Sequence, residues 1–348
     1  MMRAMVLDAV KSFAETGEPL RLAHVPVPTP GPGEVLVKVS ACGVCHTELD
    51  EIEGRTPPST FPMILGHQVV GRVVAEGPGA GTLGPGSRVG IGWIHSSCGT
   101  CRFCLSGREN LCALFRATGR DSFGGYGEYM TVPERHAYRL PDIFSDSEAA
   151  PLLCAGAVGY RSLRLTELKD GETLGLVGFG ASAHLVLQLA RFLYPSSRIF
   201  VFARSAEERS FALDLGASWA GDVEERPPEP LRAAIDTTPA WRPVVEAMGH
   251  LDRGGRLVIN AIRKEETDKA ALLDLDYPAH LWLEKEMKSV ANVTGADVRD
   301  FLDLAAAIPI RPQVSEYPLE EANRALREVK ERKIRGAKVL VVSSDGRS

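Results

Sequence analysis

The sequence predicts an α/β protein of two domains, one β-rich and built of short strands and loops, the other organised as a doubly wound parallel sheet. Three observations lead there. A chain of 348 residues exceeds the roughly 100–200 residues of one ordinary domain. Up to about residue 150, glycine and proline clusters separate short β-like runs. Beyond it, apolar β runs alternate with helical-period segments, the pattern of a parallel sheet covered on both faces.

In the first half, Glu34-Val35-Leu36-Val37-Lys38-Val39 and Gln68-Val69-Val70-Gly71-Arg72-Val73-Val74 read as strands, bounded by turns such as Pro28-Thr29-Pro30-Gly31-Pro32-Gly33. In the second, Thr173-Leu174-Gly175-Leu176-Val177 reads as a buried strand. After a glycine turn, Leu185, Leu189, Phe192 and Leu193 recur at helical spacing. Arg198–Ala203 is the next β run, and Ser205 with Glu208 three residues on forms a capping-box pattern for the following helix. Residues 233–236, 256–260 and 288–292 are further strands. The tail returns to a helix over 319–330 and a last strand over 338–342. No internal repeat or low-complexity tract is visible.

Composition removes several classes. With 40 basic against 45 acidic residues the net charge is −5, the wrong sign for a nucleic-acid binder. No run approaches the ~18 apolar residues of a membrane span, so no membrane partner is expected. Asp8 interrupts any signal-peptide core, which predicts a cytoplasmic location. Seven cysteines, an odd number without an export signal, do not suggest a disulfide framework.

Four of them, Cys98, Cys101, Cys104 and Cys112, follow C-x2-C-x2-C-x7-C. Four thiolates so close in sequence can close on one structural zinc; an iron–sulfur cluster is the competing occupant. One cysteine, one histidine and one more cysteine make a catalytic zinc shell, yet spacing alone does not single out Cys45, His67 and Cys154. A lone histidine also packs in cores, and a lone cysteine is often a small core residue.

Gly178-Phe179-Gly180-Ala181-Ser182-Ala183 is G-x-G-x-x-A between a strand and a helix. Gly178 makes the tight turn, Gly180 lets backbone approach a pyrophosphate at the helix N-terminus, and Ala183 permits close packing. The second strand ends Phe202-Ala203-Arg204-Ser205, without the carboxylate that would hold a ribose 2′-hydroxyl. Arg204, with Ser205 opening the helix and Arg209 as a further candidate, suits a 2′-phosphate, so NADP(H) is expected over NAD(H).

Taken in order, Cys42-Gly43-Val44-Cys45-His46-Thr47-Glu48-Leu49, Gly66-His67, the four-cysteine loop, Gly125-Tyr126-Gly127-Glu128-Tyr129 and Ala150-Pro151-Leu152-Leu153-Cys154-Ala155-Gly156 resemble the zinc-dependent alcohol dehydrogenases of the medium-chain dehydrogenase/reductase superfamily. The likeness covers nearly the whole chain. It implies a GroES-like catalytic domain over 1–155 and 294–348, and a Rossmann domain over 156–293, with Cys154 at the seam. It implies a catalytic zinc on Cys45, His67 and Cys154, leaving Cys42 as a spare thiol. Glu48, where the family typically has Asp, is then the carboxylate behind a ligand histidine, and Thr47 the hydroxyl that passes the substrate proton. The resemblance also puts His46 and Lys338 near the pyrophosphate and Trp93 on the alcohol pocket.

Two positions depart from the family pattern. Gln68 replaces the usual glutamate and removes a negative charge near zinc. Asp50 stands where many members have a relay histidine, so the proton exit is expected at Asp50 or water. The expected reaction is hydride transfer between a small primary alcohol or aldehyde and NADP(H), in a homodimer or homotetramer with two zinc ions per chain. A polyol or amino-alcohol dehydrogenase of the same superfamily often has a carboxylate at or beside the metal, which Cys154 and Gln68 disfavour. A non-catalytic, zinc-stabilised dinucleotide sensor instead predicts that loss of Cys45 or His67 changes nothing.

Overall fold

In a computed structural model, which describes residues 1–308, 310–331 and 336–343, the strand Glu34–Val44 carries the first unit. Val35, Val37 and Val39 alternate into the core while Glu34, Leu36 and Lys38 stay half-buried, the period-2 signature of a strand with one covered face. From Ser40 to Val44 every residue is buried, because neighbours cover both faces there. The strand pairs antiparallel with Val69–Glu76, Tyr129–Pro133 and Ala337–Val341. These belong to a seven-stranded sheet. Helix Ala322–Lys330 closes its core with Ala325, Leu326 and Val329. The C-terminal segment thus completes the unit begun by the N-terminal one, which comprises Met1–Cys154, Val293–Ala307 and Arg311–Ser348.

The second unit, Ala155–Asn292 with Ile308–Ile310, is built on a six-stranded parallel sheet. Its order is Trp219–Gly221, Arg198–Phe202, Thr173–Val177, Leu231–Asp236, Leu251–Ile259, Glu286–Ser289. Numbered along the chain that is 3-2-1-4-5-6, the doubly wound dinucleotide-binding arrangement with its switch point between the first and fourth strands. Thr173–Val177 is buried at every residue, as its unbroken apolar run requires. The run at 288–292 forms its strand slightly earlier, at the exposed sheet edge. The short strand Trp219–Gly221 carries no strong sequence signal.

Candidate active site

The candidate centre assembles where Glu34–Val44 gives way to helix His46–Ile52. Cys45 is the N-cap: its sulfur accepts the Thr47 amide at 3.4 Å, and the Cys45 amide donates to Glu48 Oε2 at 2.9 Å. This is a capping box in which cysteine takes the place of serine. Glu48 Oε1 lies 2.6 Å from His67 Nδ1, with both side chains out of solvent. The other ring nitrogen, Nε2, is 3.6 Å from Cys45 Sγ and 3.3 Å from Cys154 Sγ. Cys154 sits in a π-helical turn, Leu152–Gly156, that follows helix Asp146–Pro151. Such turns widen a helix locally and recur at functional sites.

These distances fit a metal ion. Zinc–sulfur bonds of about 2.3 Å and zinc–nitrogen bonds of about 2.0–2.1 Å in a tetrahedron put sulfur and nitrogen ~3.6 Å apart. The proton affinities agree. A bond from Cys154, burial and nearby Glu48 push the Cys45 thiol up. Burial disfavours the His67 imidazolium, but Glu48 and Cys45 outweigh it and raise its pKa well above the ordinary value. Such a donor set exchanges its protons for a cation.

Trp93 is buried and meets His67 edge-to-face, with ring centroids 5.1 Å apart. Its ring also lies beneath the Arg120 guanidinium, 5.6 Å from the centroid. Thr47 is half-buried beside Cys45. Asp50 is buried and bonded to Arg55 Nε, so its carboxylate already has a cationic partner. Gln68 packs against the strand at Gly43, where a Cβ would meet its side chain at 2.7 Å. Glu51, which no motif singles out, is fully buried one turn after Glu48. Neither of its oxygens has a hydrogen-bond partner among the described residues, and burial, reinforced by Glu48, holds its carboxyl well above the usual range.

The four-cysteine loop brings its sulfurs together. Cys98 lies 3.8 Å from Cys104 and 3.5 Å from Cys112, and Cys101 lies 3.6 Å from Cys104. Four sulfurs around one zinc at about 2.3 Å would be ~3.8 Å apart. A cluster of several irons needs its thiolates further apart, so these spacings favour a single ion. Backbone amides at Thr100 and Cys101, with the Thr100 hydroxyl, lower the Cys98 thiol to about 6, which favours the ligating thiolate.

In the second unit, Gly178 adopts φ 82°, a left-handed conformation open to glycine, and a Cβ there would strike Thr237 and Thr238. A Cβ at Gly180 would meet nothing within 4 Å, which leaves backbone there open to a ligand. Ala183 is buried at the start of helix Ala183–Leu193, as close packing demands. Ser182 donates its hydroxyl to Ala155 O at 2.8 Å, and half-buried Ala181 lies beside it. Ser205 caps the next helix by accepting the Glu208 amide, one half of the expected box. Arg204 is exposed. Arg209 instead donates to the carbonyls of Ala203 and Arg204 at 2.8 and 2.9 Å, holding the turn that presents Arg204.

Two further basic residues are expected near the pyrophosphate, and both belong to the first unit. His46 is exposed at the start of its helix, outside the cluster formed by its neighbour Cys45. Lys338 is buried in the first unit's sheet, with its ammonium bonded to Tyr317 Oη and Glu328 Oε2. Glu328 is held down to about 2, chiefly by the bonds from Lys338 and Tyr317. The geometry gives Lys338 an internal partner in place of a phosphate.

Comparison with known proteins accounts for this arrangement. Residues 31–142 match the alcohol dehydrogenase GroES-like domain family. The chain is 46% identical to "Probable alcohol dehydrogenase AdhA" of Mycobacterium tuberculosis (strain CDC 1551 / Oshkosh), over 94% of both chains. It is 33% identical to an alcohol dehydrogenase of Geobacillus stearothermophilus, over 99% of this chain and 100% of that one. A thermostable alcohol dehydrogenase from Pyrobaculum aerophilum superposes with a TM-score of 0.87 at 26% identity, covering 98% of this chain and 99% of that one. Fold and site together define a two-unit oxidoreductase with a GroES-like and a Rossmann component. The chain belongs to the zinc-type alcohol dehydrogenases of the medium-chain dehydrogenase/reductase superfamily. Among the described residues no helix is long and apolar enough to cross a membrane.

Proposed function

We propose that the protein interconverts small primary alcohols and aldehydes with NADP(H), using a catalytic zinc on Cys45, His67 and Cys154 and a structural zinc on Cys98, Cys101, Cys104 and Cys112. The observation that carries the reading is the Cys45–His67–Cys154 cluster, whose ligand atoms lie within 4.8 Å of one another. A zinc ion there would polarise the substrate oxygen, and a bound nicotinamide would carry the hydride.

The chain's own residues supply the rest. Glu48 fixes the His67 tautomer so that Nε2 faces the two sulfurs. Two thiolates and a neutral imidazole balance a divalent cation. Thr47 takes the proton from the substrate hydroxyl and hands it to water, since Asp50 is engaged by Arg55. Trp93 narrows the space beside His67 and favours slender substrates. Gly178, Gly180, Ala181, Ser182 and Ala183 receive the pyrophosphate at a helix N-terminus. Arg204 pairs with the 2′-phosphate, with Ser205 beside it and Arg209 bracing the turn.

Seven free cysteines suit a reducing compartment, the cytoplasm. The exposed edge strand Glu286–Ser289, near exposed Tyr277 and Trp282, supports a homo-oligomer joined along that edge.

Metal content per chain, measured beside steady-state turnover of short alcohols and aldehydes before and after chelation, tests the reading. Two zinc ions with chelator-sensitive activity, faster with NADP(H), are expected. An inactive protein with both metals bound would refute the reaction. Faster turnover with NAD(H) would refute only the cofactor preference.

A further inference from the structure

Lys264 lies in the loop after the fifth strand of the parallel sheet, between exposed Arg263 and half-buried Glu265. Its own side chain is only 7% exposed and reaches back to the end of the fourth strand. There the ammonium pairs with Asp236 Oδ2 and donates to the carbonyls of Thr238 at 2.7 Å and Ala240 at 3.0 Å. Those three bonds use all three ammonium protons. Its charge is therefore committed inside the protein, and a ligand phosphate would find no donor left.

What the clamp holds is specific. Asp236 pairs in register with Val177, the last residue before Gly178. Its Oδ1 accepts the Thr238 hydroxyl at 2.7 Å and the Thr238 amide at 3.1 Å. Thr237 donates its amide to Val177 O at 2.9 Å and its hydroxyl to the same oxygen at 3.1 Å. Both threonines press on Gly178, where an added Cβ would meet Thr237 Oγ1 at 2.9 Å and Thr238 Cγ2 at 3.0 Å. On the other side, the Asn260 amide donates to Asp236 O at 2.7 Å, and Asn260 Nδ2 reaches Ser182 Oγ at 3.4 Å. The carboxyl ends of three strands and the glycine loop are thus tied through one buried ion pair. They meet at the switch point, where doubly wound sheets bind their ligands.

A buried ion pair seldom stabilises more than an apolar pair of the same size, whereas removing one partner alone is costly. Stability is then a weak reason for a charge pair at this place, and geometry a better one. We infer that Lys264 is a positioning residue for the dinucleotide: by clamping the turn Asp236–Ala240 it sets the shape of the Gly178 loop that receives the pyrophosphate. It serves NADH and NADPH alike, because the pyrophosphate is common to both. The inference rests on the dinucleotide reading of Gly178–Ala183.

The test uses zinc-loaded protein titrated with NADPH and with NADH by nucleotide fluorescence, with Tm measured for each variant. Lys264→Met should raise both dissociation constants about tenfold and lower Tm. Asp236→Asn combined with Lys264→Met removes both charges while Asn keeps an acceptor for Thr238. This double variant should regain most of the lost Tm yet bind both nucleotides as weakly as the single one. A double variant that binds them as tightly as the wild type would reduce the pair to a structural feature and overturn the inference. Wild-type protein that binds neither nucleotide would instead overturn the dinucleotide reading, and the inference with it.

Discussion

One carboxylate, that of Glu48, touches both His67 and Cys45. Oε1 lies 2.6 Å from His67 Nδ1 and Oε2 accepts the Cys45 amide at 2.9 Å. A single side chain therefore orients a ligand ring and anchors the backbone of a ligand thiol. Partners of this kind are worth about 10–100-fold in metal affinity. Glu48→Ala should weaken zinc at the Cys45–His67–Cys154 site by that factor and leave the four-cysteine site full. Competition with a chromophoric chelator reads it directly: one zinc per chain should become easily removed. Two zincs lost at wild-type affinities would assign Glu48 no such part.

The four-cysteine loop should behave differently. It connects the two strands of a small ribbon of its own, Ile94–Ser96 with Arg116–Ala117. Its thiolates hold the loop rather than the substrate. Cys112→Ser should remove one zinc per chain and lower Tm by on the order of 5–10 °C. Below that transition, much of kcat should remain. A Tm equal to the wild type's would show that the ion does not brace the loop.

How legible each part is in the sequence depends on the distance over which its residues act. The strand Thr173–Val177 is visible because an unbroken apolar run is a local signal, and the four cysteines because one loop carries them all. The Cys45–His67–Cys154 set is not legible from spacing, since its members come from a helix cap, a loop and a π-helical turn. Those contacts span 22 and 87 residues. Only the order of motifs along the chain reveals it. A glutamate such as Glu51 ordinarily reads as a surface charge, yet it is fully buried because its helix packs its acidic face inward. Lys264 gives no signal, since a lysine in a polar loop usually points to water. Lys338 misleads for the opposite reason: it does lie on the last strand, but Glu328 and Tyr317 claim its ammonium from the neighbouring helix and strand.

The cofactor preference can be divided between two arginines. Arg204 is exposed, whereas Arg209 is bonded to the carbonyls of Ala203 and Arg204. Arg204→Ala should raise the Michaelis constant for NADP(H) about tenfold or more and leave that for NAD(H) nearly unchanged, as expected for losing a charge-assisted phosphate contact. Arg209→Ala loosens the turn itself and should weaken both cofactors, NADP(H) more. Initial rates with each cofactor separate the two. Equal effects of Arg204→Ala on both would remove it from the 2′-phosphate.

Trp93 stands edge-on to His67 and is also packed near Phe115, at 6.5 Å between ring centroids. Replacing the indole by a methyl should open space beside the metal ligands. Trp93→Ala should shift the ratio of kcat/KM toward branched or aromatic aldehydes over acetaldehyde by on the order of tenfold. An unchanged ratio would show that the indole serves the core alone.

His184 offers a test on pH. It sits on the first turn of helix Ala183–Leu193, fully buried, with Nδ1 3.2 Å from Gly180 O and its ring tilted toward Phe211. Burial lowers its pKa from 6.5 to about 4. Between those values the unfolded chain binds a proton that the folded chain refuses, so stability rises with pH. The contribution is fully present above about pH 6.5 and is lost as pH falls through about 4. With each tenfold difference in proton affinity worth about 1.4 kcal/mol, it amounts to about 3 kcal/mol at most. Denaturant unfolding at pH 7 and pH 4.5 should therefore show a larger loss for the wild type than for His184→Phe, which has no proton to gain. Parallel losses in the two proteins would place the acid sensitivity elsewhere.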